Sequence, residues 1–254
     1  MLERYFEINR DGHNIRCKLC FEKGHDIRKA IVFCHGFAGH KDNATAFKFS
    51  ERAISKHPST ATIVFDLPCH GNDVKKKLTL DDCLKYIELV ADYTATAYPN
   101  ADLYAHGTSF GGYLFLNYLS HMQHSSFKKI VLLSPAINMY DSITSSIIPA
   151  EDLLKINKGK TVPVGFDRKV NIDSSFLSSL QTEDIRKIDF TEHADDILII
   201  HGTNDEIVQC GVVSDFADEN IIEIVKVDGA EHRFQNPSCR EIPTKSALAF
   251  FGLS

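Results

Sequence analysis

A serine flanked by glycines carries the clearest chemical signature in this sequence. Gly107-Thr108-Ser109-Phe110-Gly111 fits the pattern G-x-S-x-G, which places a serine on a sharp turn between a strand and a helix. The segment ADLYA before it is typical of a strand, and FGGYLFLNYLSHM after it is typical of a helix. Gly107 and Gly111 are the elbow glycines, small enough for the two backbones to approach. We therefore predict that Ser109 is a nucleophile for acyl transfer.

A serine hydroxyl is a weak nucleophile unless a base removes its proton, so a histidine and an orienting acid are required. After a serine in this context, the acid and then the histidine follow along the chain. Asp205 follows the strand-like segment ILIIHG, and His232 follows IIEIVKV, so both fall at carboxyl ends of strands. We predict His232 as the base and Asp205 as the acid that orients it, with Glu206 and Asp228 as alternative acids. The plain alternative for each member of the triad is a helix cap or a surface-loop side chain.

Acyl transfer also needs hydrogen-bond donors for the oxyanion that forms at the carbonyl. One is predicted to be the backbone N–H of Phe110, the residue after the nucleophile. The second is predicted to be the backbone N–H of Phe37, within the segment CHGFAGHKDN, where the alternative is a plain turn. His40 and His70 lie on loops near the same edge and are candidates to line the site. Three histidines at strand ends are instead expected to be held by backbone hydrogen bonds: His35, His106 and His201.

The elements that position these residues follow from the hydrophobic pattern. The first 29 residues alternate polar and apolar side chains around the turn signal Asp11-Gly12, which predicts an antiparallel hairpin. Short β-branched apolar runs then alternate with helical stretches, which predicts an α/β fold with a doubly wound, mostly parallel sheet. The predicted strands cover 30–34, 60–65, 103–105, 130–133, 197–200 and 221–227. The predicted helices cover about 42–56, 79–97, 110–122, 208–217 and 241–251.

One connection is far longer than a crossover requires. Residues 135–195 carry their own apolar positions and two short helical patterns, so we predict an inserted cap subdomain within a single domain of residues 1–254. Ligands of open α/β sheets bind at the carboxyl edge of the strands, which this cap would cover. The alternative is a remote decoration with no role in binding. Six apolar side chains are candidates for an acyl pocket, and for most of them the alternative is a place in the core of the cap: Phe37, Phe110, Ile147, Ile148, Phe166 and Phe176.

Composition excludes several function classes. The chain has 254 residues and a net charge of −6, without the basic footprint of a nucleic-acid-binding protein. It has no apolar run of about 20 residues, which argues against a membrane span. The charged N-terminus lacks a signal-peptide pattern, and seven scattered cysteines are typical of free thiols, so a cytoplasmic location is expected. Cys17 and Cys20 would point to opposite faces of a strand, so no metal site is predicted there.

Five segments together resemble the α/β-hydrolase-fold serine hydrolases over almost the whole chain: HGFAGHKDN, DLPCHG, GTSFGG, HGTNDEIV and GAEHRF. The sequence is similar to bacterial cinnamoyl and feruloyl esterases, and to monoacylglycerol-lipase-like and serine-aminopeptidase-like members. The resemblance implies a triad of Ser109, Asp205 and His232, no metal or other cofactor, and hydrolysis through an acyl-enzyme. Two positions depart from the usual esterase pattern near the pocket rim. Thr108 precedes the nucleophile, and Cys69 stands where the family usually has glycine.

These observations predict a serine carboxylic-ester hydrolase acting on small to medium acyl or aromatic-acyl (cinnamoyl-type) esters. Its only expected partner is a small-molecule ester, and a homodimer is left open. The alternatives are a peptidase, a thioesterase or a monoacylglycerol-lipase-like hydrolase with the same triad, and a non-catalytic binding protein on the same scaffold. A peptidase that clamps a free amino terminus would need acids in the cap, and four are available: Glu151, Asp152, Asp167 and Asp173.

Overall fold

The computed structural model describes residues 1–73, 75–122, 125–165 and 168–253. The strands of that part of the chain are β1 (Leu2–Arg10), β2 (His13–Phe21), β3 (Lys29–Cys34), β4 (Thr60–Phe65), β5 (Asp102–Thr108), β6 (Lys129–Leu133), β7 (Val162–Val164), β8 (Val170–Ile172), β9 (Ile197–Gly202) and β10 (Glu223–Val227). Its α-helices are α1 (Ala44–Lys56), α2 (Leu80–Ala97), α3 (Phe110–Ser120), α4 (Met139–Ser142), α5 (Ala150–Asn157), α6 (Ser174–Thr182), α7 (Cys210–Glu219) and α8 (Ile242–Phe250).

Eight of these strands form one sheet, in the order β1-β2-β4-β3-β5-β6-β9-β10. The strands β4, β3, β5, β6, β9 and β10 run parallel, whereas the hairpin β1–β2 is antiparallel and joins the sheet through β2 and β4. The predicted N-terminal hairpin and mostly parallel, doubly wound α/β sheet are therefore confirmed. Because the six parallel strands share one direction, the loops after β3, β5, β9 and β10 all open at the same edge.

The core explains why the central strands are almost continuously apolar. Successive strand residues point to opposite faces of the sheet, and both faces are covered. In β3, Ile31 and Phe33 pack with α1 and α8 on one face, whereas Ala30 and Val32 pack with α2 and α3 on the other. All four side chains have an exposed fraction of 1% or less, so neither face of β3 meets solvent.

Helix α1 begins where a side chain satisfies its free backbone donors. Asn43 adopts an extended backbone, and its Oδ1 accepts a hydrogen bond from the Ala46 N–H at 2.8 Å. The helix therefore starts at Ala44, two residues after the predicted 42. At the other end of the chain, Ile221 has a φ of 58°, which is outside the strand region, so β10 begins at Glu223 and not at 221.

The long segment between β6 and β9 holds α4, a π-helical turn at Ile143–Ile147, α5, the β7–β8 hairpin, α6 and two 3₁₀ turns. It is attached to α3 because the hydroxyl of Tyr113 donates to the carbonyl of Glu183 at 2.8 Å. The ring of Phe176 on α6 also packs edge-on against Phe110, with a centroid distance of 6.2 Å. The bounds 135–195 for a cap subdomain within one domain remain a prediction.

Within the described ranges, none of the helices combines the length and apolar character that a bilayer crossing demands.

Candidate active site

Ser109 occupies a strained turn between β5 and α3. Its φ is 52° and its ψ is −111°, a backbone conformation that is unfavourable for a residue with a Cβ. The turn is held because the Ser109 N–H donates to the carbonyl of Leu133 at 2.9 Å, and the Ser109 carbonyl accepts from the Gly112 N–H at 2.9 Å. This is the geometry of a nucleophile elbow, in which the hydroxyl stands exposed at the carboxyl edge of the sheet.

The two elbow glycines permit the close approach that this turn requires. A Cβ built on Gly107 would lie 2.7 Å from the carbonyl oxygen of Gly111. A Cβ built on Gly111 would overlap the carbonyl oxygen of Cys34 and lie 2.8 Å from that of His35. These neighbours are backbone atoms, which cannot move aside as a flexible side chain would. Any larger residue at either position would therefore push α3 away from β5 or β3.

His232 lies on the loop after β10 and contacts Ser109 directly. Its Nε2 is 3.0 Å from the Ser109 Oγ, and its Nδ1 is 2.7 Å from the Oδ2 of Asp205. Because Nδ1–H donates to the carboxylate, Nε2 is the acceptor that faces the serine hydroxyl. The backbone of His232 is held at both ends: its N–H donates to Glu206 at 3.2 Å, and its carbonyl accepts from the Ser134 hydroxyl at 3.1 Å.

Asp205 follows β9, and its carboxylate is fully buried. Its Oδ1 accepts hydrogen bonds from the backbone N–H groups of Ile207 at 2.9 Å and Val208 at 2.8 Å. Burial alone would raise the pKa of Asp205, but hydrogen bonds from His201, His232 and the Val208 N–H lower it well below its ordinary value. The carboxylate is therefore ionised and can stabilise a protonated His232.

A further histidine reaches the same carboxylate. His201 is fully buried, and its Nε2 lies 2.9 Å from the carbonyl of Val208 and 3.2 Å from the Oδ2 of Asp205. The expected backbone bond is present, but the contact with Asp205 was not expected. The only signal in the sequence is the spacing of four residues between His201 and Asp205, which does not by itself indicate a contact outside a helix.

The alternative acids hold other partners. Glu206 accepts from the backbone of His232, not from its ring. Asp228 accepts from the hydroxyl of Thr203 at 3.3 Å. The structure thus brings Asp205, and not these neighbours, to the imidazole Nδ1.

The loop after β3 lies directly beside the nucleophile. A Cβ built on Gly36 would lie 3.3 Å from the Cβ of Ser109 and 3.9 Å from its Oγ. Nδ1–H of His35 donates to the Gly36 carbonyl at 2.8 Å, and the Gly39 N–H donates to the same oxygen at 3.0 Å. Within the described ranges, the backbone N–H groups of Phe37 and Phe110 donate to no other group. Neither N–H group is therefore committed to another acceptor there, and the role of both as oxyanion donors remains a prediction.

Buried neutral histidines and an ion pair support this loop from below. His70 donates from Nδ1 to the carbonyl of Pro68 at 2.7 Å and lies edge-on against the ring of Phe37. Burial lowers the pKa of His35 to about 4 and that of His70 to about 3, so neither carries charge near neutral pH. Lys41 and the fully buried Asp66 form an ion pair at 3.0 Å that ties this loop to the one after β4.

Beneath the elbow, His106 on β5 is also buried and stacks on Phe33, with a centroid distance of 4.5 Å. Burial lowers its pKa to about 3. The backbone hydrogen bond expected for His106 is not found: its buried Nδ1 has no hydrogen-bond partner among the described residues, and the ring is held by aromatic packing instead.

A cavity of about 970 Å³ opens in front of Ser109 and His232. Of the six apolar side chains predicted for an acyl pocket, Phe37 and Ile147 line this cavity. The side chains of Phe110, Ile148 and Phe176 are buried in the core instead and do not line it. Phe166 lies outside the described residues. His40 lines the cavity as predicted, whereas His70 lies behind Phe37 and does not reach it.

Comparison with known proteins places this fold and motif set in a family. The family described as serine aminopeptidase, S33, matches residues 25–195. A search of curated protein sequences returned no significant match.

Solved structures of similar fold include Est1E from Butyrivibrio proteoclasticus with ferulic acid bound, at 22% identity over 97% of this chain and 99% of that chain, with a TM-score of 0.74. The alpha/beta hydrolase domain-containing protein 10 from mouse is 17% identical over 98% of each chain, with a TM-score of 0.72. A monoacylglycerol lipase from Paleococcus ferrophilus is 16% identical over 94% of this chain and 99% of that chain, with a TM-score of 0.68. At these identities the likeness extends to the fold. The family match covers more than half of the chain, so the protein belongs to the serine aminopeptidase S33 family of α/β-hydrolase-fold serine hydrolases.

Proposed function

We propose that the protein is a carboxylic-ester hydrolase that works through an acyl-enzyme formed on Ser109. The observation that carries this proposal is the unbroken hydrogen-bonded chain from the Ser109 Oγ through His232 to the buried Asp205, at the floor of an open cavity. The substrate class that we propose is small to medium acyl or aromatic-acyl esters.

The geometry supports a two-step reaction. Ser109 Oγ attacks the ester carbonyl while His232 Nε2 takes the hydroxyl proton, and the N–H groups of Phe37 and Phe110 bind the resulting oxyanion. The ester C–O bond then breaks, and His232 gives its proton to the departing alcohol. A water molecule repeats the sequence on the acyl-enzyme: His232 takes its proton, the acid is released, and the proton returns to Ser109. Asp205 stabilises the imidazolium in both steps.

The described acids of the predicted cap do not form the clamp that an aminopeptidase would need for a free amino terminus. A clamp for an ammonium group needs converging carboxylates. Among the described residues, Glu151, Asp152 and Asp173 do not line the cavity, and Asp167 lies outside them. Asp152 pairs with Lys155 at 2.7 Å, and Asp173 caps α6 by accepting from the Phe176 N–H at 3.1 Å. Asp152 and Asp173 are therefore engaged in supporting the segment between β6 and β9.

Apolar side chains beside the nucleophile support an acyl group of modest size. Phe37, Leu133, Ile147 and Ile207 all line the cavity that contains Ser109. The likeness to Est1E, whose structure holds ferulic acid, motivates the inclusion of an aromatic acyl group in the substrate class.

The test is a panel of p-nitrophenyl acetate, butyrate and octanoate, methyl ferulate, and an aminoacyl-p-nitroanilide. Wild type and Ser109→Ala are assayed together, because Ser109→Ala keeps the fold and removes only the nucleophile. We expect ester cleavage in the wild type, loss of that cleavage in Ser109→Ala, and labelling of the wild type alone by a fluorophosphonate probe. Full ester cleavage by Ser109→Ala would overturn the mechanism.

The same panel separates the alternatives. Anilide cleavage without a preference for esters would assign the protein to the peptidases. The rate on methyl ferulate decides whether aromatic acyl groups belong to the substrate class. An absence of both cleavage and labelling would favour a binding protein on a hydrolase scaffold.

A further inference from the structure

The cavity in front of Ser109 carries a charge opposite to that of the chain as a whole. The chain has 28 lysines and arginines against 34 aspartates and glutamates, a net charge of −6. The cavity lining reverses this balance, with more cations than carboxylates among its described residues. Its cationic side chains are Lys48, Arg52, Arg168, Arg233 and Arg240, and its carboxylates are Glu51 and Glu241.

Two of the cations project from the exposed face of α1. Lys48 and Arg52 are four residues apart, so they lie one above the other on the same face of the helix. The opposite face of α1 is buried through Phe49 and Ala53, which pack on the sheet. The amphipathic pattern of α1 therefore holds both cations along one wall of the cavity.

A third cation, Arg168, lines the cavity from the turn between β7 and β8. A Cβ built on Gly165 in this turn would lie 2.9 Å from the Cβ of Ala38, so the turn rests on the loop that carries Phe37. The positive charge of Arg168 also acts on His40, which lies on that loop. Burial is the main cause of the lowered pKa of His40, and Arg168 lowers this pKa further. Arg168 thus lines the cavity near the loop that carries Phe37.

Three of these cations have no counter-ion among the described residues. Lys48, Arg52 and Arg168 form no ion pair in the part of the chain that the structure describes. Of the two carboxylates, Glu241 has Arg240 as its neighbour at 3.9 Å, which leaves Glu51 as the counter-charge on α1. An excess of positive charge therefore remains in the cleft.

We infer that this cleft selects esters that carry a negatively charged group away from the scissile bond. One exposed cation contributes little, because solvent and salt screen it. Several cations of one sign along a cleft focus the field, and they raise the local concentration and capture rate of an oppositely charged substrate. This inference rests on the proposed ester hydrolysis and adds to it the charge of the substrate.

The test compares esters that differ in charge and little else. On the alcohol side, p-butyryloxybenzoate and p-butyryloxyphenyl phosphate are compared with neutral p-butyryloxybenzamide. On the acyl side, the mono-p-nitrophenyl ester of suberic acid is compared with p-nitrophenyl octanoate. We expect kcat/KM for an anionic ester to exceed that of its neutral partner by about tenfold at low salt, on at least one side. This ratio should fall as the salt concentration rises. The anion with the larger ratio identifies the preferred group as carboxylate or phosphate.

Three substitutions to glutamine test the cleft itself: Lys48→Gln, Arg52→Gln and Arg168→Gln, combined in one variant. A control variant removes the same number of charges from exposed lysines that, in the described part of the chain, neither line the cavity nor form an ion pair: Lys56→Gln, Lys158→Gln and Lys245→Gln. The cleft variant should lose about tenfold of the anionic preference and keep its kcat/KM on the neutral esters within about twofold. The control variant should keep the wild-type ratio.

Each failure has a distinct meaning. If the neutral esters are cleaved and depend on Ser109, but anionic esters gain nothing, the proposed function stands and the inference on charge is wrong. The inference is equally wrong if the control variant lowers the ratio as much as the cleft variant does, since net charge would then be the cause. If no ester is cleaved, the proposed function fails and this inference fails with it.

Discussion

Replacement of Asp205 by asparagine tests how the carboxylate controls His232. The Asp205 carboxylate acts only as an acceptor: two backbone N–H groups donate to its Oδ1, and the rings of His201 and His232 face its Oδ2. An asparagine side chain has one oxygen and one NH₂ group, so it must present a donor to one of these two pairs. The consequence depends on which pair that is.

The hydrogen bonds favour one orientation of the new amide. Placing NH₂ at the Oδ1 position would leave two buried backbone donors without an acceptor, at about 1–3 kcal/mol each. Placing NH₂ at the Oδ2 position is less costly, because His201 keeps the Val208 carbonyl and His232 can change tautomer. His232 Nδ1 then accepts, and Nε2 carries the proton that faces Ser109. The imidazole can no longer act as a base.

The expected loss is large and specific to catalysis. The equivalent change in the Ser-His-Asp triad of another serine hydrolase lowers kcat by about 10⁴. At about 1.36 kcal/mol per tenfold, this is about 5 kcal/mol of transition-state stabilisation. The fold should survive, because the volume of the side chain is unchanged.

The assay is kcat and kcat/KM on p-nitrophenyl butyrate, with the urea unfolding midpoint measured on the same samples. Glu206→Gln is the matched control, since it makes the same chemical change one residue away and should cost less than about tenfold. If Asp205→Asn keeps more than a tenth of the wild-type kcat, or if Glu206→Gln lowers kcat more than Asp205→Asn does, the assignment of Asp205 as the acid is wrong.

Three further predictions concern stability, each measured by urea unfolding. Gly111→Ala places a methyl group against backbone carbonyls and should lower the free energy of unfolding by about 3 kcal/mol or more. Gly211→Ala, which has open space around the new Cβ, should change it by no more than about 1 kcal/mol. Equal effects of the two changes would contradict the packing argument. Asp66→Ala removes the fully buried acceptor of the Lys41 ammonium and of the backbone N–H groups of Lys41 and Asn72, and should cost about 3–5 kcal/mol. The exposed Asp26→Ala should cost less than about 0.5 kcal/mol, and an equally small effect at Asp66 would mean that this buried carboxylate is not needed. Burial lowers the pKa of His35, His70 and His106, so each binds fewer protons in the folded than in the unfolded state. The free energy of unfolding should therefore fall as the pH drops from about 6.5 toward about 4, by about 1.4 kcal/mol per pH unit for each histidine. His106→Leu should reduce this slope, and a urea midpoint that does not change with pH would refute the prediction.

Local sequence was sufficient wherever a feature depends on neighbours along the chain. The elbow at Ser109 needs small residues two positions before and after it, and this spacing is visible without a structure. The hairpin at Asp11-Gly12 and the burial of β3 also follow from turn chemistry and from runs of apolar residues. Asp205 and His232 could be singled out because both follow strand-like segments, and the carboxyl ends of parallel strands share one edge.

Contacts between distant segments were beyond this reasoning. His201 was expected to bond only to the backbone, because a spacing of four residues in a strand and loop does not specify where the ring points. Phe110 and Phe176 were candidates for the acyl pocket, yet their rings pack against each other in the core. An apolar residue near a site can face the core or the cavity, and packing on both sides decides which.

The sequence by itself determined the family resemblance, the order along the chain of the strands of the large sheet and of the helices between them, and a small set of residues able to perform acyl transfer. These properties depend on local spacing, periodicity and motif order. The tertiary structure alone decided which acid meets the imidazole, which side chains line the cavity, and the charge of that cavity. The cleft brings α1, the β7–β8 turn and the residues before α8 together, although more than a hundred residues separate α1 from that turn and a further long stretch separates the turn from α8. Because electrostatic fields add through space and not along the chain, the positive cleft of a negatively charged protein became visible only in the folded molecule.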